Sequence, residues 1–179
     1  MEGDSIFVTL IALGGFGTLV GSMLAARCIS QVIWRSKREA QPTPKGEILW
    51  RLPLVFAPVT KVQYALIVAV VISSRHTAVP AWLPWAVGGA FAVVAIVQGA
   101  VGAALGNPDR SGRLAHFADS LGSRMQGEGF AFVRAPFVGR KAVPFKVPGF
   151  LIAIAILGVI ETLAIMVLVA TIVMLAHCN

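Results

Sequence analysis

The chain has 179 residues, 57% of them hydrophobic and only 13% charged, against about 25% Asp, Glu, Lys and Arg in a soluble domain. That deficit excludes an ordinary water-soluble enzyme, and the abundance of apolar residues excludes a disordered chain. Fifteen Lys and Arg oppose eight Asp and Glu, a net +7, yet these cations lie between apolar runs. They read as topology signals rather than as a nucleic-acid surface, and no nucleic-acid partner is expected.

The first element is an apolar run without charge over residues 5–26. It predicts a membrane helix at about 6–28, since a span needs about 20 apolar residues. Glu2 and Asp4 precede it where a secretory signal would carry Lys or Arg, so a true span is expected. Gly14, Gly17, Gly21 and Ala25 share one helical face. The loop 28–53 follows, with Arg35, Lys37, Arg38, Lys45 and Arg51 against Glu39 and Glu47. The second span, about 54–74, holds a single charge, Lys61. The next connection holds only Arg75.

The third span, about 82–106, repeats the small-residue stripe with Gly88, Ala92, Ala95, Gly99, Ala103 and Gly106, and carries Gln98. Small residues let helix backbones approach closely in lipid, so both stripes are expected to form an inner wall. The long loop 107–148 is basic: Arg110, Arg113, Arg124, Arg134, Arg140, Lys141 and Lys146 outnumber Asp109, Asp119 and Glu128. Residues 114–121 predict a short amphipathic helix within it. The fourth span, about 149–176, holds one acidic group, Glu161.

The expected fold is therefore an all-α membrane protein with four transmembrane helices. They form two tandem helical hairpins, residues 1–76 and 77–179, related as a parallel repeat. Both basic loops should face the cytoplasm and both termini the other side, with a prokaryotic inner membrane as the setting. Trp82 and Trp85 suit an outer aromatic belt; Trp34 and Trp50 suit the inner interface. Cys28 and Cys178 fall at opposite ends of the predicted spans, so no disulfide is expected between them.

Glu161 is the sharpest feature. It lies 12 residues after Gly149 and 15 before Ala176, roughly 18 to 22 Å from either helix end at 1.5 Å per residue. A charge that deep costs about 2.5 to 3.5 kcal/mol on insertion scales, so it is paired, neutral or functional. Overlaying residues 60–67 on 160–167 sets Lys61 opposite Glu161, the two deep charges at one repeat position. The residues thus leave two readings open. Glu161 carries an ion, or it is a structural partner of Lys61.

The segment Val159-Ile160-Glu161-Thr162-Leu163-Ala164-Ile165 resembles the last helix of the membrane-ring proteolipid of V/A-type rotary ATPases, subunit K or c. Gln98-Gly99 is similar to the family's pair on the preceding helix. Pro58-Val59-Thr60-Lys61-Val62-Gln63-Tyr64 is similar to its second-helix motif, and Gly21-Ser22 to the end of its Gly-rich first helix. The resemblance covers all four spans and implies a rotor ring of many copies. Helices 1 and 3 would lie inside and helices 2 and 4 outside. It implies an ion site of Glu161, Gln98, Thr60, Tyr64 and the position of Lys61. It also implies partners: a stator membrane subunit, central-stalk subunits and the lipid bilayer.

The transported ion would be a proton, exchanged by reversible protonation of Glu161, with Na+ the less favoured cargo and no cofactor. Lys61 departs from the family's glutamine and sets a cation where the ion would bind, and loop 107–148 is longer than is usual. A non-transporting four-helix scaffold or assembly protein, locked by a Lys61–Glu161 pair, is the competing expectation. His76, His116 and His177 show no metal-ligand spacing. No P-loop or nucleophile motif occurs, so no catalytic residue is expected and the chain should not hydrolyse ATP itself.

Overall fold

The computed structural model describes residues 3–40, 48–49, 51–74, 79–107 and 147–177. Loop residues 108–146, with the expected short helix at 114–121, lie outside the described residues, as do Lys45, Glu47, Trp50, Arg75, His76 and Cys178. The described chain is helical and contains no strand. In order it forms α1 (Gly3–Arg38), α2 (Leu52–Phe56), a 3-10 turn (Ala57–Val59), α3 (Thr60–Ser73), α4 (Leu83–Gly106) and α5 (Val147–His177). Four stretches are long and apolar enough to cross a membrane: Ser5–Arg38, Leu52–Ser73, Leu83–Gly106 and Ala153–His177. This is a multi-pass membrane protein.

α1 runs ten residues beyond the expected end at 28. The charge-free apolar run stops at Ala26, but the helix does not. Its last turn holds Arg35, Lys37 and Arg38, cations that favour the negative end of the helix dipole. Arg35 Nε also pairs with Glu39 Oε1 at 2.9 Å, the one-turn spacing that supports a helix end. Charge density marked the edge of the apolar layer rather than the end of the helix.

The buried positions of α1 are Ile6, Leu10, Gly14, Gly17, Gly21, Ala25, Cys28, Val32 and Ser36. Their steps of three and four trace one stripe. Its main partner is α4, and the two helices run parallel. A side chain added at Gly17 would strike Ala92, one at Gly21 would strike Ala95, and one at Gly99 would land on the backbone of Gly21. Further along, Gly102 faces Ala25, and Gly106 faces Cys28. Gly14 differs from its stripe-mates: it faces Ala65 of α3 rather than α4. The antiparallel second span thus packs into the same groove, with Leu54, Ala65, Val68, Ala69 and Ile72 buried.

α5 is the outermost helix. Only 17% of its most apolar window is buried, against 44% for α4. Ala153, Leu157, Ala164, Thr171 and Leu175 form its one covered edge. The hydroxyls of this helix are satisfied by its own backbone. Thr162 Oγ1 donates to Gly158 O at 2.9 Å, and Thr171 Oγ1 to Val167 O at 2.7 Å. A membrane interior offers no water for the task.

Candidate ion site between the second and fourth spans

Pro58 prepares the site. Proline lacks an N–H and its ring collides with the carbonyl one turn back, so a continuous helix cannot pass through it undisturbed. Here the chain responds with the 3-10 turn Ala57–Val59, which leaves carbonyl oxygens open to side chains. Pro58 O accepts from Thr18 Oγ1 of α1 at 3.1 Å. Ala57 O faces Thr60 Oγ1 at 3.0 Å and Lys61 Nζ at 3.5 Å.

α3 begins at this break and projects Thr60, Lys61 and Tyr64 toward one side. Glu161 of α5 meets them. Tyr64 Oη donates to Glu161 Oε1 at 2.6 Å. Glu161 Oε2 receives the Lys61 ammonium. Gln98 Nε2 of α4 also reaches Oε2, at 3.2 Å. Thr60 Oγ1 lies 3.2 Å from Oε2 and has one proton, which it gives either there or to Ala57 O. Lys61 Nζ donates to Thr60 Oγ1 at 2.7 Å. All five residues of the implied ion site are therefore brought together: Thr60, Lys61, Tyr64, Gln98 and Glu161.

Their surroundings differ. The Lys61 side chain is fully buried, whereas Glu161 keeps 23% of its side-chain surface exposed. The carboxylate thus sits at the outer rim of the cluster, on the same face of α5 as the exposed Gly158 and Ile165, one turn before and one turn after it. Tyr64 is held by Phe91 of α4, with ring centroids 6.1 Å apart. Lys61 Nζ lies 5.9 Å from the centre of the Tyr64 ring. Gln98 is buried, and its Oε1 takes no hydrogen bond. A carboxylate with a cation and neutral donors around it can hold negative charge away from water.

The glycine positions Gly14, Gly17, Gly21, Gly88, Gly99 and Gly106 lie in the packing groove on the inner side of this cluster, against neighbouring backbone and apolar side chains. Among the described residues no group of His, Cys, Asp and Glu could hold a metal ion. Cys28 is a free, buried thiol.

Two features escaped sequence reasoning, one at the site and one away from it. One is the backbone carbonyl of Ala57, which has no side-chain signature; Pro58 next to it was the available signal. The other is Arg51, counted among the loop cations. It is 4% exposed and its Nε donates to Gly106 O at 2.6 Å. α4 has no basic residue in its own last turn, so a cation from the start of the second span serves the carbonyl end of α4. In comparisons with protein-family models, curated proteins and solved structures, nothing matches the chain.

Proposed function

We propose that the chain is an ion-carrying ring subunit of a V/A-type rotary ATPase or ATP synthase membrane sector. Protons are its cargo, taken up and released at the Glu161 site. The observation that carries the reading is the convergence of Thr60, Lys61, Tyr64 and Gln98 on one mid-helix carboxylate at an apolar outer rim. A fixed carboxylate that must meet lipid on one part of a cycle and a stator on another belongs on such a rim. A purely structural ion pair gains nothing from sitting there.

Assembly into a ring has support of its own. Away from the seam with α1, α4 presents Ala86, Gly89 and Ala90 near its start and Ala100, Ala103 and Ala104 near its end, none of them buried. Val93, Ile96 and Val97 lie between the two groups and are likewise not buried. A face with small residues at both ends lets the helix of a neighbouring copy approach closely there. In this reading the partners are further copies of the chain, a stator membrane subunit and central-stalk subunits. Loops 28–53 and 107–148 face the cytoplasm of a prokaryotic cell, where the stalk would bind. A Na+ cargo is disfavoured because the Lys61 ammonium already lies among Glu161, Thr60 and the Ala57 carbonyl.

That same ammonium favours a second reading, a scaffold in which the pair only locks α5 to α3. Glu161→Gln separates the two. The amide keeps the shape of the side chain but removes the negative charge on which proton exchange at the site depends. The rotor reading expects a ring in projection images of the purified complex, and loss of proton transport with that ring intact. A complex built only of the variant that still pumps protons would refute it.

A further inference from the structure

We propose that the exchangeable proton of this site is carried on Lys61 Nζ, while Glu161 remains a carboxylate throughout. The inference rests on the ion-carrying reading above and assigns the atom that does the carrying.

The charge balance comes first. With Lys61 as ammonium and Glu161 as carboxylate the site is neutral, the state that apolar surroundings tolerate best. Adding a proton to Glu161 beside the ammonium would leave +1 on the site. Removing one from Nζ leaves −1, borne by a carboxylate that keeps its neutral donors. Those donors are Tyr64 Oη at 2.6 Å, Gln98 Nε2 at 3.2 Å and Thr60 Oγ1 at 3.2 Å. The groups around Glu161 thus favour its ionised form, and they persist when the lysine is neutral. Tyr64 and Gln98 both turn a donor, rather than an acceptor, toward the carboxylate.

No other ionisable group on the spans competes. α1 carries no titratable side chain between Asp4 and Arg27, α4 carries none, and α5 carries only Glu161 before His177. On α3, Tyr64 is the one titratable neighbour. Gln98 Oε1, buried without a donor, leaves an unused acceptor on the very amide that contacts Glu161.

The step is a simple proton exchange. At one aqueous access path an Nζ–H bond breaks, its electron pair stays on nitrogen as a neutral amine, and the proton passes to water admitted at the rim, where Glu161 rather than the buried Lys61 is partly exposed. The site becomes −1, the same net charge that an ionised carboxylate without a lysine would present to a stator cation. At the second path water returns a proton to Nζ, and the neutral pair re-enters lipid.

The test uses membranes that carry the assembled complex, a lipophilic carbodiimide that modifies carboxyl groups in their protonated form, and proton transport measured in parallel at neutral pH. The wild type should transport protons with Glu161 unmodified. Lys61→Gln should move the exchangeable proton to Glu161, so that the residue becomes modified and the reagent abolishes transport. Lys61→Arg should lose transport without gaining modification, because a guanidinium does not shed its proton. Should that variant fail to assemble, the comparison of wild type with Lys61→Gln decides alone. Modification of Glu161 in a transporting wild type as fast as in Lys61→Gln would overturn the proposal, as would transport by Lys61→Arg. An assembled wild type that moves no protons would instead refute the ion-carrying reading itself.

Discussion

Two of the contacts that hold this bundle together work by different physics. The seam between α1 and α4 is made of glycine and alanine. Gly21 and Gly99 meet backbone to backbone, and stability there comes from many small dispersion contacts at close range. The contact between α5 and the rest is sparse in packing and rich in polarity. α5 buries little of its apolar window, and Glu161 ties it to Lys61 and Tyr64 of α3 and to Gln98 of α4. Apart from the Cys28 thiol at its end, the seam has no group that could exchange a proton. The cluster has several within reach of one another. A membrane protein that must combine a fixed frame with a changeable charge can divide the tasks between two such contacts.

Breaking the seam should have the largest effect. In Gly99→Leu the new side chain would land on the Gly21 backbone, which cannot step aside as a flexible side chain could. Overpacking of a core costs about 1 to 3 kcal/mol in ordinary cases, and a backbone clash exceeds that. We expect loss of the assembled form on native electrophoresis of detergent extracts.

Breaking the cluster comes next. Lys61→Met leaves a carboxylate without its cation, and removing one member of a buried pair costs about 3 to 5 kcal/mol. Removing both, in Lys61→Met with Glu161→Met, should cost distinctly less, because no charge is stranded. Unfolding in mixed detergent would give both values. A double variant as unstable as the single would show that packing, rather than the pair, secures α5.

Tyr64→Phe probes a single donor of the cluster. It removes one hydroxyl, 2.6 Å from Glu161 Oε1, and keeps the ring against Phe91. A loss of about 1 kcal/mol is expected in the same unfolding assay, the usual net value of one hydrogen bond. The smallest effect belongs to Gly158→Ala. A side chain there meets nothing within 4 Å, so assembly and unfolding should match the wild type. That variant is the control for Gly99→Leu: a glycine on a membrane helix matters where a neighbouring backbone touches it, and not otherwise.

The glycine stripes illustrate how much of the frame could be read in advance. Their steps of three and four put Gly17 and Gly21 on one face of α1, and Ala92, Ala95 and Gly99 on one face of α4, whatever the fold. Which face met which was not legible: Gly14 belongs to the same stripe and yet packs on Ala65 of the second span. Arg51 shows the opposite failure. Its sequence neighbours mark it as a loop cation, but the carbonyl it serves is Gly106, 55 residues away. No local pattern encodes a partner at that distance.

The four spans, the small-residue faces and the mid-span positions of Lys61 and Glu161 were legible in the residues alone, because each follows from composition and a 3.6-residue period acting on a short stretch of chain. Long-range packing alone set which helix faces meet and brought four donors from two helices onto one carboxylate of a third. Those outcomes depend on how helices far apart in sequence are placed against one another. Such placement is settled by the sum of many weak long-range contacts rather than by any residue's local preference.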